Sequence, residues 1–141
     1  MKILVFGGSG KMGSVAAWDL AKNGNAYQIE TIGIIGRNEN SLEKTKKWIK
    51  DQRIVSHVLD LSQRKEIQKI MQQYDVGVIA LPDRKSSYQA VEMSIEAGLN
   101  IVDILEEYHR KPDTHEIEGL SIPAGMKLEE YGEYLHQKAL A

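Results

Sequence analysis

The chain has 141 residues, a net charge of −2 and no cysteine. That length suits one domain with a sizeable core, the near-neutral charge gives no general pull toward nucleic acid or acidic membranes, and the missing cysteines exclude disulfides, thiolate nucleophiles and cysteine-bound metals. The composition accords with a cytoplasmic protein: MKILVFGG is too short an apolar run for a signal peptide, and no stretch approaches the ~20 residues of a membrane span.

Taken in order, the chain alternates. Residues 3–6 (ILVF) form a short apolar run that ends in glycine, as a buried parallel strand does. Residues 11–22 carry Met12, Val15, Ala16 and Leu20 at helical spacing and stop at Asn23-Gly24. A second strand is expected over 31–35. A charged helix follows over 41–50, with Ser41 as its cap and the Lys44 to Lys50 run on its outer face. A third strand covers 54–59 and a third helix 62–74, capped by Ser62. Residues 76–81 form the most buried-looking strand, stopped by Pro82. A helix over 86–97 ends at Gly98, and a fifth strand covers 100–105. Residues 106–125 read as a polar loop, and 128–140 as a last helix with Tyr131, Leu135 and Lys138 spaced by turns. Trp18 and Trp48 are expected as packing residues. Strand and helix in alternation imply parallel strands joined by crossover helices. The expected fold is α/β: a Rossmann-type doubly wound parallel sheet in three α/β/α layers, about five strands, spanning residues 1–141 as one domain.

The first strand leads into Gly8-Ser9-Gly10-Lys11-Met12-Gly13, which satisfies G-x-G-x-x-G between a strand and a helix. The first glycine allows the tight turn, the second lets a pyrophosphate approach the backbone, and the third lets helix and strand pack closely. Amides at the helix start then point at the phosphates, aided by the helix dipole. The pattern assigns dinucleotide binding to these six residues.

The end of the second strand selects the dinucleotide. An Asp or Glu there takes the ribose hydroxyls of NAD. Here stand Gly36, Arg37 and Asn38. Nothing repels a 2′-phosphate, Gly36 leaves room, and Arg37 can pair with the phosphate or lie on the adenine. A charge-assisted hydrogen bond of about 1.5–3 kcal/mol gives a roughly ten- to hundredfold preference. The cofactor is therefore read as NADP(H), with NAD(H) as the alternative. Asp60-Leu61 closes strand three, where a carboxylate either accepts from the adenine amino group or caps the next helix. Ala80, Leu81 and Pro82 close strand four, beside the nicotinamide-side ribose and within the core.

With these residues placed, the chain resembles the amino-terminal NAD(P)-binding domain of the saccharopine dehydrogenase family. The likeness rests on MKILVFGGSGKMG and on DVGVIALPDRKSSYQAVEMSIEAGLNIVDI, with Ala80-Leu81-Pro82, Ala97-Gly98 and Val102-Asp103 at the family's positions. It covers residues 1–105. Two departures are the GG-S-G opening and Gly36-Arg37 where many members carry Asp-Arg. The resemblance implies an oxidoreductase of amino-acid metabolism that moves a hydride to or from a C–N bond of an amino-acid-derived substrate. It also implies a longer enzyme, with a substrate and dimerisation domain outside this chain and a possible homodimer. No catalytic residue is transferred and no metal is expected.

Two other readings compete. Gly7-x-x-Gly10-x-x-Gly13 also fits short-chain dehydrogenases, and Ser121, Tyr134 and Lys138 imitate their triad. Ser121, however, stands well past strand five. A stand-alone Rossmann module could instead sense nucleotide and regulate a partner, but such modules place an acid after strand two, where Gly36-Arg37 stands. His109, Asp113, His115 and Glu116 match no metal spacing. Arg84 or Lys85, in Asp83-Arg84-Lys85, either meets an anionic substrate or lies in a solvated turn.

Overall fold

The computed structural model describes residues 1–104, 122–127 and 130–141. Five parallel strands form one sheet in the order β3-β2-β1-β4-β5. They are β1 (Lys2–Phe6), β2 (Thr31–Gly36), β3 (Ile54–Val58), β4 (Val76–Ile79) and β5 (Asn100–Asp103). The helices are α1 (Lys11–Asn23), α2 (Glu39–Ile49), α3 (Arg64–Met71), α4 (Arg84–Ala97) and α5 (Tyr131–Leu140). The chain winds outward from β1 to β3, returns across the sheet, and winds out the other way through β4 and β5. This is the expected doubly wound order, with its switch point between β1 and β4.

The strand pleat sorts the core into two layers. Ile3 and Val5 of β1 and Ile32 and Ile34 of β2 join Ala17, Ala21, Leu42 and Ile49 on the face covered by α1 and α2. Leu4, Phe6, Ile35 and Ile79 point the other way, toward Ile67, Met71, Val91, Tyr131 and Leu135 under α3, α4 and α5. Because β1 and β2 are buried on both faces, they read as unbroken apolar runs. Register follows: Val5 lies between Ile34 and Val78, and Phe6 between Ile35 and Ile79. Each such side chain, fully buried, contributes about 1.5–3 kcal/mol.

Local chemistry moves several expected boundaries. α2 begins two residues before Ser41, because Asn38 Oδ1 accepts from the Ser41 N–H at 2.9 Å and takes the cap. α3 is shorter than expected and Ser62 does not cap it. The Ser62 N–H is held at 2.9 Å by Asp60 Oδ1, and the Asp60 N–H by Gln63 Oε1 at 2.9 Å, so the chain turns there before the helix starts. Past Met71, two tight backbone bonds, Gln73 N–H to Ile70 O and Tyr74 N–H to Met71 O, turn it into β4. α4 starts at Arg84 because Asp83 caps it, accepting from the Ser86 N–H at 2.8 Å. Arg84 and Lys85 thus open a helix and do not form a turn, and neither is without an interaction partner. Strands β4 and β5 end at Ile79 and Asp103, short of the expected limits. Trp18 and Trp48 pack, but on each other at the surface: their rings stack 6.3 Å apart and are 37% and 54% exposed.

At the amino edge of the sheet, Arg53 ties the ends of three segments together. Its guanidinium donates to Ile29 O at 3.1 Å and Ala21 O at 2.7 Å and pairs with Asp51 Oδ2 at 2.8 Å. The hydrogen bond from Arg53 holds the Asp51 carboxyl at about 2, below its ordinary 3.8. A lowered carboxyl stabilises the fold above its unfolded pKa and loses that contribution as pH falls through the folded one. Asp51→Asn should therefore cost about 1–2 kcal/mol at neutral pH. The gap between variant and wild type should close between about pH 4 and pH 2, as read by urea denaturation across that range. A gap that stayed constant would contradict the pairing.

Candidate functional site

At the end of β1 the chain turns at Gly7, whose φ of +73° suits glycine. The N–H groups of Gly7 and Gly8 both donate to Ile35 O, at 3.1 and 3.3 Å, which pins the turn to β2. The Gly10 N–H returns to Gly7 O at 2.9 Å, and the Ser14 N–H to Gly10 O at 3.0 Å opens α1. A Cβ on Gly13 would run into the Gly7 carbonyl, so helix and turn meet backbone to backbone. One expected role shifts. The tight turn belongs to Gly7, outside the Gly8–Gly13 motif, while Gly8 packs against Ile34, whose Cβ lies 2.5 Å from where a Cβ on Gly8 would stand. The doubled glycine and the Gly7-x-x-Gly10-x-x-Gly13 spacing are the sequence signals for it.

Gly10 caps α1 in an extended conformation with no side-chain cap bond. Among the described residues, nothing accepts from the amides of Ser9, Lys11, Met12 or Gly13. A Cβ on Gly10 would touch only Gly7 O, at 3.2 Å, so the approach to those amides is open. Lys11 and Met12 are exposed beside them. Unpaired donors at the positive end of a 13-residue helix, above the switch point, suit a diphosphate.

On one side lies the end of β2. Gly36 O accepts from the Leu59 N–H at 3.0 Å, which joins β2 to the segment leading into Asp60 and Leu61. Arg37 is exposed just beyond. The Asp60 carboxyl is held low, first by the backbone N–H of Ser62 and in smaller part by the charge of Arg37, so these two side chains share one corner. Leu61 packs half-buried against the α3 side of the core. Asn38 spends its side chain on α2. On the other side, Ala80 is buried and donates to Phe6 O at 3.2 Å. Its carbonyl occupies the place a Cβ on Gly7 would take, with Leu81 Cδ2 3.5 Å from that Cβ position and Pro82 exposed. The sequence-assigned residues from Gly8 to Pro82 therefore follow the carboxyl ends of β1, β2, β3 and β4, neighbouring strands of one sheet.

Of the imitation triad, Tyr134 and Lys138 are described, and both lie on α5 against the α4 side. Lys138 Nζ lies 3.6 Å from Glu96 Oε1, next to the last residue of α4 and toward the opposite edge of the sheet. Tyr134 sits against Tyr131, ring centroids 5.9 Å apart. Ser121 lies outside the described residues, as do His109, Asp113, His115 and Glu116. Among the described residues no group of His, Asp or Glu could hold a metal, and no helix is long and apolar enough to cross a membrane.

A family model described as the saccharopine dehydrogenase NADP binding domain matches residues 3–138. No curated protein matches the sequence. Among solved structures, apo saccharopine dehydrogenase (L-Glu forming) from Saccharomyces cerevisiae superposes with a TM-score of 0.61 at 20% identity, over 83% of this chain and 24% of that one. Isoflavone reductase gives 0.56 at 20% identity, over 70% of this chain and 33% of its own. The dTDP-glucose 4,6-dehydratase from Streptomyces venezuelae, solved with NAD and TYD bound, gives 0.56 at 16% identity, over 72% and 38%. These structural likenesses show the fold, and the chain spans well under half of each neighbour.

Two glycine substitutions separate fold from binding. Gly10→Ala should cost about 1 kcal/mol through the weaker cap, while its methyl group takes up open space at the start of α1 that a diphosphate needs and weakens NADPH binding about tenfold or more. Gly13→Ala should cost about 1–3 kcal/mol by forcing α1 off the turn. Thermal unfolding and NADPH titration on both variants check this. Normal binding by Gly10→Ala would contradict the assignment of the free amides there.

Proposed function

We infer that this chain, which belongs to the family of saccharopine dehydrogenase NADP binding domains, is the nucleotide-holding part of an oxidoreductase acting on a carbon–nitrogen bond of an amino-acid-derived substrate. Its cofactor is NADP(H). The observation that carries the reading is the set of unpaired amides of Ser9, Lys11, Met12 and Gly13, at the start of α1 and above the switch point of the sheet.

NADP(H), when bound, supplies or accepts the hydride at its nicotinamide ring. The work of the chain is to bind, orient and exclude water. Amides around Gly8 to Gly13 hold the diphosphate, with Lys11 adding a positive charge nearby. Arg37 pairs with the 2′-phosphate or covers the adenine, and Asp60 and Leu61 flank the same base. Gly36 leaves the ribose uncrowded. Ala80, Leu81 and Pro82 give the nicotinamide half an apolar wall beside Gly7.

Substrate recognition and proton handling are assigned to parts of a longer enzyme outside this domain. In the same reading that enzyme is a cytoplasmic protein of amino-acid metabolism and a homodimer. The domain itself comprises residues 1–141. The reaction class rests on family membership, since a Rossmann fold alone hosts many chemistries.

Arg37→Asp supplies the test. It removes a cation and sets a carboxylate beside a dianionic phosphate, so NADPH affinity should fall about ten- to hundredfold. NADH affinity should change little. Titration of both nucleotides against both proteins decides it, and equal losses would count against Arg37 as the phosphate partner.

A further inference from the structure

Between the glycine turn and the end of β2 stands one polar side chain with no assigned work. Ser9 is half-buried, and among the described residues its hydroxyl has no hydrogen-bond partner. Its Oγ lies 3.4 Å from the point a Cβ on Gly36 would occupy. Leu42 Cδ2 closes the other side of that point at 3.5 Å. Ser9 thus reaches from the amides that receive the diphosphate to the place where a ribose-binding carboxylate would otherwise project.

We propose that Ser9 and Gly36 act as a pair that sets nucleotide choice, with the Ser9 hydroxyl donating to the 2′-phosphate of NADP(H) in the space left by the missing side chain. The inference rests on the dinucleotide reading above and adds a residue to it. A ribose whose diphosphate lies on the free amides at the start of α1 comes over the end of β2, and its 2′ substituent then passes over Gly36 beside the Ser9 hydroxyl. A hydroxyl donates to a phosphate oxygen more strongly than it bonds a neutral ribose hydroxyl. Arg37 supplies charge from the solvent side. Ser9 supplies a short, directed donor from the side of the glycine turn.

The pairing also predicts how the two positions interfere. A Cβ at residue 36 fits in ordinary contact distance of Ser9 and Leu42. Gly36→Asp therefore folds, and its carboxylate takes the Ser9 hydroxyl for itself while repelling the 2′-phosphate. Loss of the hydroxyl should then matter far less in the Gly36→Asp background than in wild type.

Calorimetric titration of the full chain with NADPH, NADH, adenosine 2′,5′-bisphosphate and adenosine 5′-diphosphate tests this. Ser9→Ala should weaken NADPH and the 2′,5′-bisphosphate about tenfold and leave NADH and the 5′-diphosphate within about twofold. Ser9→Thr, which keeps the hydroxyl, should restore the difference. Thermal unfolding of each variant separates binding from folding. An equal loss for all four ligands, or no loss for any, overturns the role of Ser9 while leaving the dinucleotide site standing. Failure of the unmodified chain to bind any of the four overturns the site and this inference together.

Discussion

The arrangement depends on one bare contact: the backbone of α1 at Gly13 pressed against the carbonyl of Gly7. No side chain stands between helix and turn. That closeness brings the first amides of α1 over the seam between β1 and β4, where the two halves of the sheet wind apart. Helix dipole, free donors and topological crevice then coincide. A helix held off by even one methyl group would carry its amides away from the crevice that β2 and β4 frame.

The opposite layer is fastened differently. Glu92, 1% exposed in the middle of α4, accepts from Arg64 of α3 at 2.5 Å and from the Tyr131 hydroxyl of α5 at 2.5 Å. A carboxylate taken out of water is costly unless fully partnered, and here two donors from two other helices converge on it. Burial in the first place, and Glu92 in the second, hold the Tyr131 hydroxyl protonated well above the ordinary range. The result is a polar rivet through three helices, set in a mostly apolar layer. It fixes which turn of α5 faces α4, while the nucleotide side of the sheet relies on main-chain groups.

The strand–helix alternation was legible because parallel strands buried on both faces leave apolar runs that nothing else imitates at this length. The turn after β1 was legible because it needs glycine. What sequence hid was decided by competition among neighbours. Asn38 and Ser41 can each cap α2, and only the backbone path shows that Asn38 does. Ser62 has a good capping side chain, yet Asp60 and Gln63 claim the turn first. Gly8 and Gly7 are chemically identical, and only φ tells which one turns. Glu92 had no local signal, since its partners lie 28 and 39 residues away in the chain. Ser9 and Gly36 were both singled out, but their adjacency belongs to the folded sheet.

The stacked indoles of Trp18 and Trp48 join the helix that starts at the phosphate turn to the helix that starts beside Arg37. They are the two tryptophans of the chain. All of its indole emission therefore arises at one spot on the nucleotide-binding half, from rings partly wetted by solvent. A reduced nicotinamide absorbs where indole emits, so occupancy can be followed as quenching by energy transfer. Any slight spreading of the two helices would register separately, as a change in exciton coupling between the rings. The domain thus carries its own optical gauge, with no label to attach.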